Sequence, residues 1–180
     1  MIEPWKILST KYLIQDAFMT LRSDRCELPN GHVLETFYVR ENHDFVQIVP
    51  VNAAGEILIV RQYRHGIQRI STEIPGGLIE PGEDPRLAAQ RELLEETGCG
   101  ADRFESVAPL FPNPARDTNT AHTFIAHNAR IIQPPEQEVT EDISFEFVSR
   151  KDVFALIDGG HFAHALHVAS LLLALRHLDR

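Results

Sequence analysis

The stretch GGLIEPGEDPRLAAQRELLEETGC, residues 76–99, decides how this chain is read. Gly76-Gly77 and Pro81-Gly82 break regular structure. Asp84 suits a helix N-cap, and Pro85 fits the first helical position, where a missing N–H costs nothing. The sequence therefore predicts a helix running to about Thr97. It should stop at Gly98, which can take the left-handed cap conformation. On that helix Arg91, Glu92, Glu95 and Glu96 fall at spacings that bring Glu92, Glu95 and Glu96 together. Carboxylates so close repel one another, and the fold gains nothing from the repulsion. Their oxygens are, however, the ligands that hard divalent cations such as magnesium take, and those cations bridge phosphate oxygens. Spacing alone leaves a second reading open: a solvated acidic face, with Arg91 and Glu95 forming an ordinary i,i+4 surface pair.

Outward from this helix, β-rich segments dominate the first part of the chain, at residues 11–22, 32–40, 45–51 and 56–63. A hairpin turn at 52–55 joins the last two. Further strands are expected at 104–110, 120–127 and 143–148, and helices at 151–157 and roughly 162–178. Strands mixed with helices in this order predict an α/β or α+β sandwich. A chain of 180 residues suits one domain, here 1–180, and 43% hydrophobic residues suffice for its core. Cys26 and Cys99 form no CxxC pair or secreted framework, which fits a reducing compartment. The start MIEPWKIL has no basic cluster followed by an apolar run, and the apolar stretch at 168–175 is too short to span a bilayer. A cytoplasmic protein with no membrane partner is expected. A formal net charge of −9 argues against nonspecific nucleic-acid binding, which needs Lys and Arg to displace counterions. It also disfavours an anionic substrate unless cations offset the field, so a metal-assisted reaction is the better expectation.

Gly77, Glu83, Arg91-Glu92, Leu93, Glu95-Glu96 and Gly98 stand at the fixed spacings of a longer signature, and residues 77–99 resemble the Nudix box. Cys99 stands where that box usually has a larger aliphatic residue. The resemblance implies a Nudix α/β/α sandwich with a mixed sheet. It also implies a magnesium site, with manganese able to substitute, held by Glu92 and Glu96, with Glu95 shared or bridging and the carbonyl of Gly76 completing it. Arg91 would orient the carboxylates, and Glu83 would brace the loop against the helix.

The flanks resemble the Nudix subfamily that hydrolyses ADP-ribose and other nucleoside diphosphate sugars. In RQYRHGIQRISTEIPGG, residues 61–77, Arg64 matches an arginine that reaches the substrate's diphosphate or terminal ribose. Glu73 matches a substrate- or metal-proximal carboxylate; Arg61 is a further binding candidate, though it and Arg69 also read as solvated loop charges, Arg69 the more so. Residues 1–50 resemble the β-rich N-terminal extension through which such enzymes form homodimers. In LFPNPARDTNTAHTF, residues 110–124, Pro114 matches the subfamily's mark for ADP-ribose-type substrates. Arg116, Asp117 and Asn119 would line the loop beside the phosphates. Physically, Pro112 and Pro114 stiffen an exposed connection, which fits either a prepared binding loop or a plain stiff turn.

In QPPEQEVTEDISFEFVS, residues 133–149, Glu141 matches a carboxylate that adds to the metal cluster. Val139 stands where an acid is usual, so the general base stays open among Glu138, Glu141 and a box glutamate, while Glu136 reads as a solvated charge. His161, His164 and His167 recur every three residues but lack the HExxH spacing of a zinc site, and face an interface or a substrate edge more readily. His122 reads as structural. The resemblance implies magnesium-dependent cleavage of a nucleoside diphosphate sugar into a nucleoside monophosphate and a sugar phosphate. Two rivals stand beside it. One is hydrolysis of another nucleotide (a dinucleoside polyphosphate, a coenzyme A derivative or an oxidised nucleotide), and the other is a silent domain that only senses a nucleotide.

Overall fold

The computed structural model describes residues 1–17, 19–137 and 142–180. The chain forms two compact units, Met1–His43 with Phe111–Thr120, and Asp44–Leu110 with Ala121–Arg180.

In the first unit β1 (Lys6–Gln15), β2 (Thr20–Glu27) and β3 (Val33–Glu41) form an antiparallel meander in that order. A single strand was expected over 11–22. Instead a turn interrupts it, closed by Asp16 N–H to the Met19 carbonyl (3.1 Å) and Met19 N–H to Asp16 Oδ1 (2.9 Å). The residues alternate on both sides of that turn, so periodicity could not see it. The 111–120 loop lies along β3. Arg40 N–H donates to the Arg116 carbonyl, and the Arg40 guanidinium grips Asp117 through bonds of 2.8 and 2.7 Å.

The second unit begins with β4 (Phe45–Val51) and β5 (Ile57–Arg64), joined by a turn in which Gly55 adopts φ 80°, as the sequence led us to expect. β6 (Arg69–Glu73) folds back on β5; its polar, charged sequence hid a strand behind what reads as a loop. Then come α1 (Pro85–Thr97), the short β7 (Cys99–Gly100), β8 (Arg103–Leu110), β9 (Ala121–His127), the short β10 (Arg130–Ile131), β11 (Ser144–Val148), α2 (Arg150–Asp158) and α3 (Ala165–Leu178). The main sheet has the order β11-β5-β4-β9-β8, with β6 on β5. β4 and β9 are parallel and the other pairs antiparallel, so the sheet is mixed.

Alternation along the central strands divides the core. Val46, Ile48, Leu58, Val60 and Phe124 pack with Ala88, Ala89 and Leu93 of α1. Val49, Ile57, Ile59 and Ile125 pack with Val153 of α2 and Leu171, Ala174 and Leu175 of α3. Both faces of the sheet are covered, which is why β4 reads as a nearly continuous apolar run. The result is a mixed α/β architecture with helices on both faces of the sheet and a β-rich N-terminal extension. α3 starts three residues later than expected, because His164 takes the N-cap, its Nδ1 accepting the Leu166 N–H at 3.2 Å. No helix among the described residues is long and apolar enough to cross a membrane.

Candidate active site

α1 is set by its caps. Asp84 Oδ1 accepts the Arg86 N–H at 2.8 Å, and Gly98, at φ 67°, donates its N–H to the Leu94 carbonyl at 2.8 Å. Burial of Ala88, Ala89 and Leu93 fixes the helix rotation and turns Arg91, Glu92 and Glu95 outward, while Glu96 stays buried.

The glycine-rich segment before the helix runs beside β4: Val46 N–H donates to the Gly77 carbonyl (2.9 Å) and Ile48 N–H to the Pro75 carbonyl (2.8 Å). A Cβ on Gly76 would sit 2.2 Å from the Val46 carbonyl oxygen, and one on Gly77 would sit 2.2 Å from the Glu92 carboxylate. Gly76 therefore has no room for a side chain, and a side chain at Gly77 would fit only by displacing the Glu92 carboxylate. Gly76 N–H donates to Glu96 Oε2 at 3.2 Å, tying the segment to the helix.

Arg91 is the hub. Its Nε and Nη2 donate to the two Glu83 oxygens (3.0 and 2.9 Å), its Nη1 to Glu92 Oε1 (2.7 Å) and Glu95 Oε2 (3.0 Å), and its Nη2 to the Leu78 carbonyl (3.0 Å). The i,i+4 pair with Glu95 exists, but as one arm of a network rather than an isolated surface bridge. The Arg91 hydrogen bonds hold Glu83 below the usual carboxylate range, and the bond to Glu83 contributes most to raising Arg91.

These groups face a cavity of about 680 Å³. Among the described residues its lining carries five carboxylates, Glu80, Glu92, Glu95, Glu96 and Glu136, against two arginines, Arg64 and Arg91. Both arginines are already bonded to carboxylates. Arg64 donates Nε to Glu73 Oε1 at 2.9 Å and Nη2 to Oε2, and Glu73 is wholly buried. Burial pushes the Glu73 carboxyl up, but the Arg64 hydrogen bond and nearby charge bring it below its ordinary value. His167 of α3 is buried beside it, and burial pushes its imidazole down to about 4.

The donor chemistry suits a hard divalent cation, since carboxylates line the cavity beside a backbone segment able to offer a carbonyl. Among the described residues, however, no three His, Cys, Asp or Glu side chains are gathered closely enough to hold a metal ion. Arg91 bonds to oxygens of both Glu92 and Glu95, so a cation would have to compete for them.

The structure thus brings Gly76, Glu92, Glu95, Glu96, Arg91 and Arg64 to one cavity, with Glu73 behind Arg64. Arg61 pairs with Glu146 at 2.6 Å across β5 and β11, and Arg69 is exposed on β6. Pro114, Arg116 and Asn119 belong to the first unit, where the Arg116 guanidinium lies 4.5 Å from the Phe37 ring centroid and Asn119 Nδ2 donates to the His43 carbonyl at 3.1 Å. Glu138 and Glu141 lie outside the described residues. Sequence reasoning did not mark Gln47 for the cavity, and Glu136, which reads as a solvated charge, lines it too; His164 and His167 take the substrate edge, one of the two places open to them. A glutamine inside the apolar run FVQIVPV and a histidine leading the apolar HVASLLLAL were the available signals.

A profile of the NUDIX domain matches residues 41–169. The chain belongs to the Nudix family. A second profile, the nucleoside diphosphate sugar hydrolase N-terminal domain, matches residues 5–39 of this Nudix protein. It is 30% identical over 148 residues to an ADP-ribose pyrophosphatase of Bacillus subtilis, covering 82% of this chain and 77% of that one. It is 29% identical over 159 residues to a methanol dehydrogenase activator of Bacillus methanolicus, covering 83% and 85%. A crystal structure of an ADP compounds hydrolase superposes with a TM-score of 0.89 at 24% identity, covering 99% of this chain and 96% of that one, and shows the shared fold. This Nudix-fold hydrolase is related to the ADP-ribose pyrophosphatase subfamily and acts on a nucleotide phosphoanhydride.

Proposed function

We propose that this protein is a magnesium-dependent pyrophosphohydrolase that cuts the diphosphate of a nucleoside diphosphate sugar of the ADP-ribose type. The charge of the cavity carries the reading. Five carboxylates face two arginines that are themselves hydrogen-bonded to carboxylates. A diphosphate cannot enter such a wall at reasonable cost unless divalent cations enter with it. Glu92, Glu95, Glu96 and the Gly76 carbonyl would hold magnesium, or manganese in its place, with Glu141 joining from outside the described residues. Bound there, the cation supplies Lewis-acid stabilisation of charge on the phosphoryl oxygens.

The chain's own residues do the rest. Arg91 fixes the carboxylates from the helix side, and Arg64 presents an oriented guanidinium to the substrate. Water attacks one phosphorus in line; its oxygen bonds to phosphorus, the bridging P–O bond breaks, and the water's proton passes to a carboxylate. That base is a box glutamate, Glu138 or Glu141. The products are a nucleoside monophosphate and a sugar phosphate.

The ADP-ribose pyrophosphatase of B. subtilis and the match of residues 5–39 support the substrate class. The test is a panel of ADP-ribose, other nucleoside diphosphate sugars, a dinucleoside polyphosphate and a coenzyme A derivative, with products identified. Preference for the diphosphate sugars is expected; preference for either of the other classes would displace this reading.

A further inference from the structure

Of the three histidines that stand out in the sequence, His167 has the most constrained surroundings. Its Nδ1 accepts the Ile74 N–H at 3.2 Å, which leaves the ring proton of the neutral form on Nε2. Nε2 lies 3.4 Å from Glu73 Oε2, too long for a normal hydrogen bond but close enough for an ion–dipole contact. Glu73 in turn takes the Arg64 fork on both oxygens. The His164 ring packs edge-on against His167, 4.8 Å between centroids.

We propose that His167, acting through Glu73, is a positioning residue for Arg64, so that helix α3 sets the aim of a cavity cation. The last torsion of a glutamate is soft and has no sharp minimum of its own. The carboxylate plane of Glu73 is therefore fixed by its neighbours, and the Arg64 fork follows that plane. The Arg64 side chain is 43% exposed, and its Nε and Nη2 both bond to Glu73. His167 is buried, anchored by backbone, and touches the same Oε2 that Arg64 Nη2 uses. Its burial keeps it neutral near pH 7, so it steadies the carboxylate without competing as a second cation.

The inference rests on the proposed function in one respect, that Arg64 meets the substrate. Two variants separate positioning from packing. His167→Asn keeps an acceptor for the Ile74 N–H but removes the donor toward Glu73; His167→Gln places an amide donor near Nε2 and gives up the acceptor. With ADP-ribose as substrate, His167→Asn should raise KM about tenfold while kcat changes less than about threefold, and His167→Gln should restore most of the loss. In an Arg64→Ala background His167→Asn should have almost no further effect, because the group it positions is gone. An unchanged KM, or effects that add fully in the double variant, overturns the inference. If His167→Asn does not fold, His167→Ser, which also removes the donor toward Glu73, carries the same cycle with Arg64→Ala. A wild-type protein that turns over no nucleoside diphosphate sugar sinks the proposed function and this inference with it. An active wild type with an additive cycle sinks the inference alone.

Discussion

Glu92 and Glu96 carry the sharpest expectation at the scale of single residues. Each change to Gln keeps the volume and removes the charge that a divalent cation would need. Glu92→Gln and Glu96→Gln should each lower turnover at least about a hundredfold, on the order of 3 kcal/mol of barrier, with the circular dichroism spectrum unchanged. Near-normal rates in both folded variants would place the metal elsewhere. These residues were legible because the box fixes identity and spacing together. Glu73 was legible as a residue but not as a partner: nothing in TEIPGG says that its carboxylate is wholly buried and clamped by Arg64. Gln47 and His167 were harder still. A polar residue in an apolar run is visible, but the cavity it borders depends on how α3 crosses the sheet.

Elements place these side chains, and the segment ahead of α1 offers a paired test. On Gly76 a Cβ would strike the Val46 carbonyl, which is backbone and cannot yield; on Gly77 it would strike the Glu92 carboxylate, the far end of a flexible side chain. Gly76→Ala should therefore cost stability, about 1–3 kcal/mol as overpacking usually does, read as a lower thermal midpoint. Gly77→Ala should lose less stability but at least about tenfold in kcat/KM, because Glu92 is pushed aside. The reverse ranking in melting and activity would contradict the packing described.

α3 supplies a pH test as well. Burial holds His167 near 4, below its ordinary 6.5, so its contribution to stability is whole above about 6.5 and is lost as pH falls toward 4. Glu73, also held low, loses stability in the same direction. The His167 part is at most about 3 kcal/mol, which for a chain of this size is several degrees of melting temperature. Melting curves at pH 7 and pH 4.5 should show the drop in wild type and a smaller one in His167→Gln; equal drops would mean that His167 does not titrate in this window. Boundaries of α1, β4 and β9 followed closely from caps and apolar runs. The turn at Asp16–Met19 and strand β6 did not, because one continued the alternation and the other lacked apolar residues.

On the scale of the whole molecule, the first unit presents a three-stranded sheet with Trp5, Ile7, Tyr12, Leu13, Ile14 and Tyr38 exposed. So much apolar surface on so small a sheet is costly in water and supports the proposal of a homodimer through residues 1–50. Light scattering at micromolar concentration should give twice the 20.4 kDa chain mass, and Ile7→Lys with Tyr12→Lys should shift it toward the monomer. A fully active wild-type monomer would remove the dimer from the account.

On the proposed function, the acidic cavity works only with a divalent cation beside the substrate's diphosphate. The most direct test is the initial rate on ADP-ribose after treatment with a chelator, then again after magnesium is restored, with products separated by chromatography. The rate should fall below about 1% of the original in chelator, a loss of some 3 kcal/mol in transition-state stabilisation, and recover fully to nucleoside monophosphate and sugar phosphate with magnesium. Undiminished turnover in the chelator would contradict the proposed function.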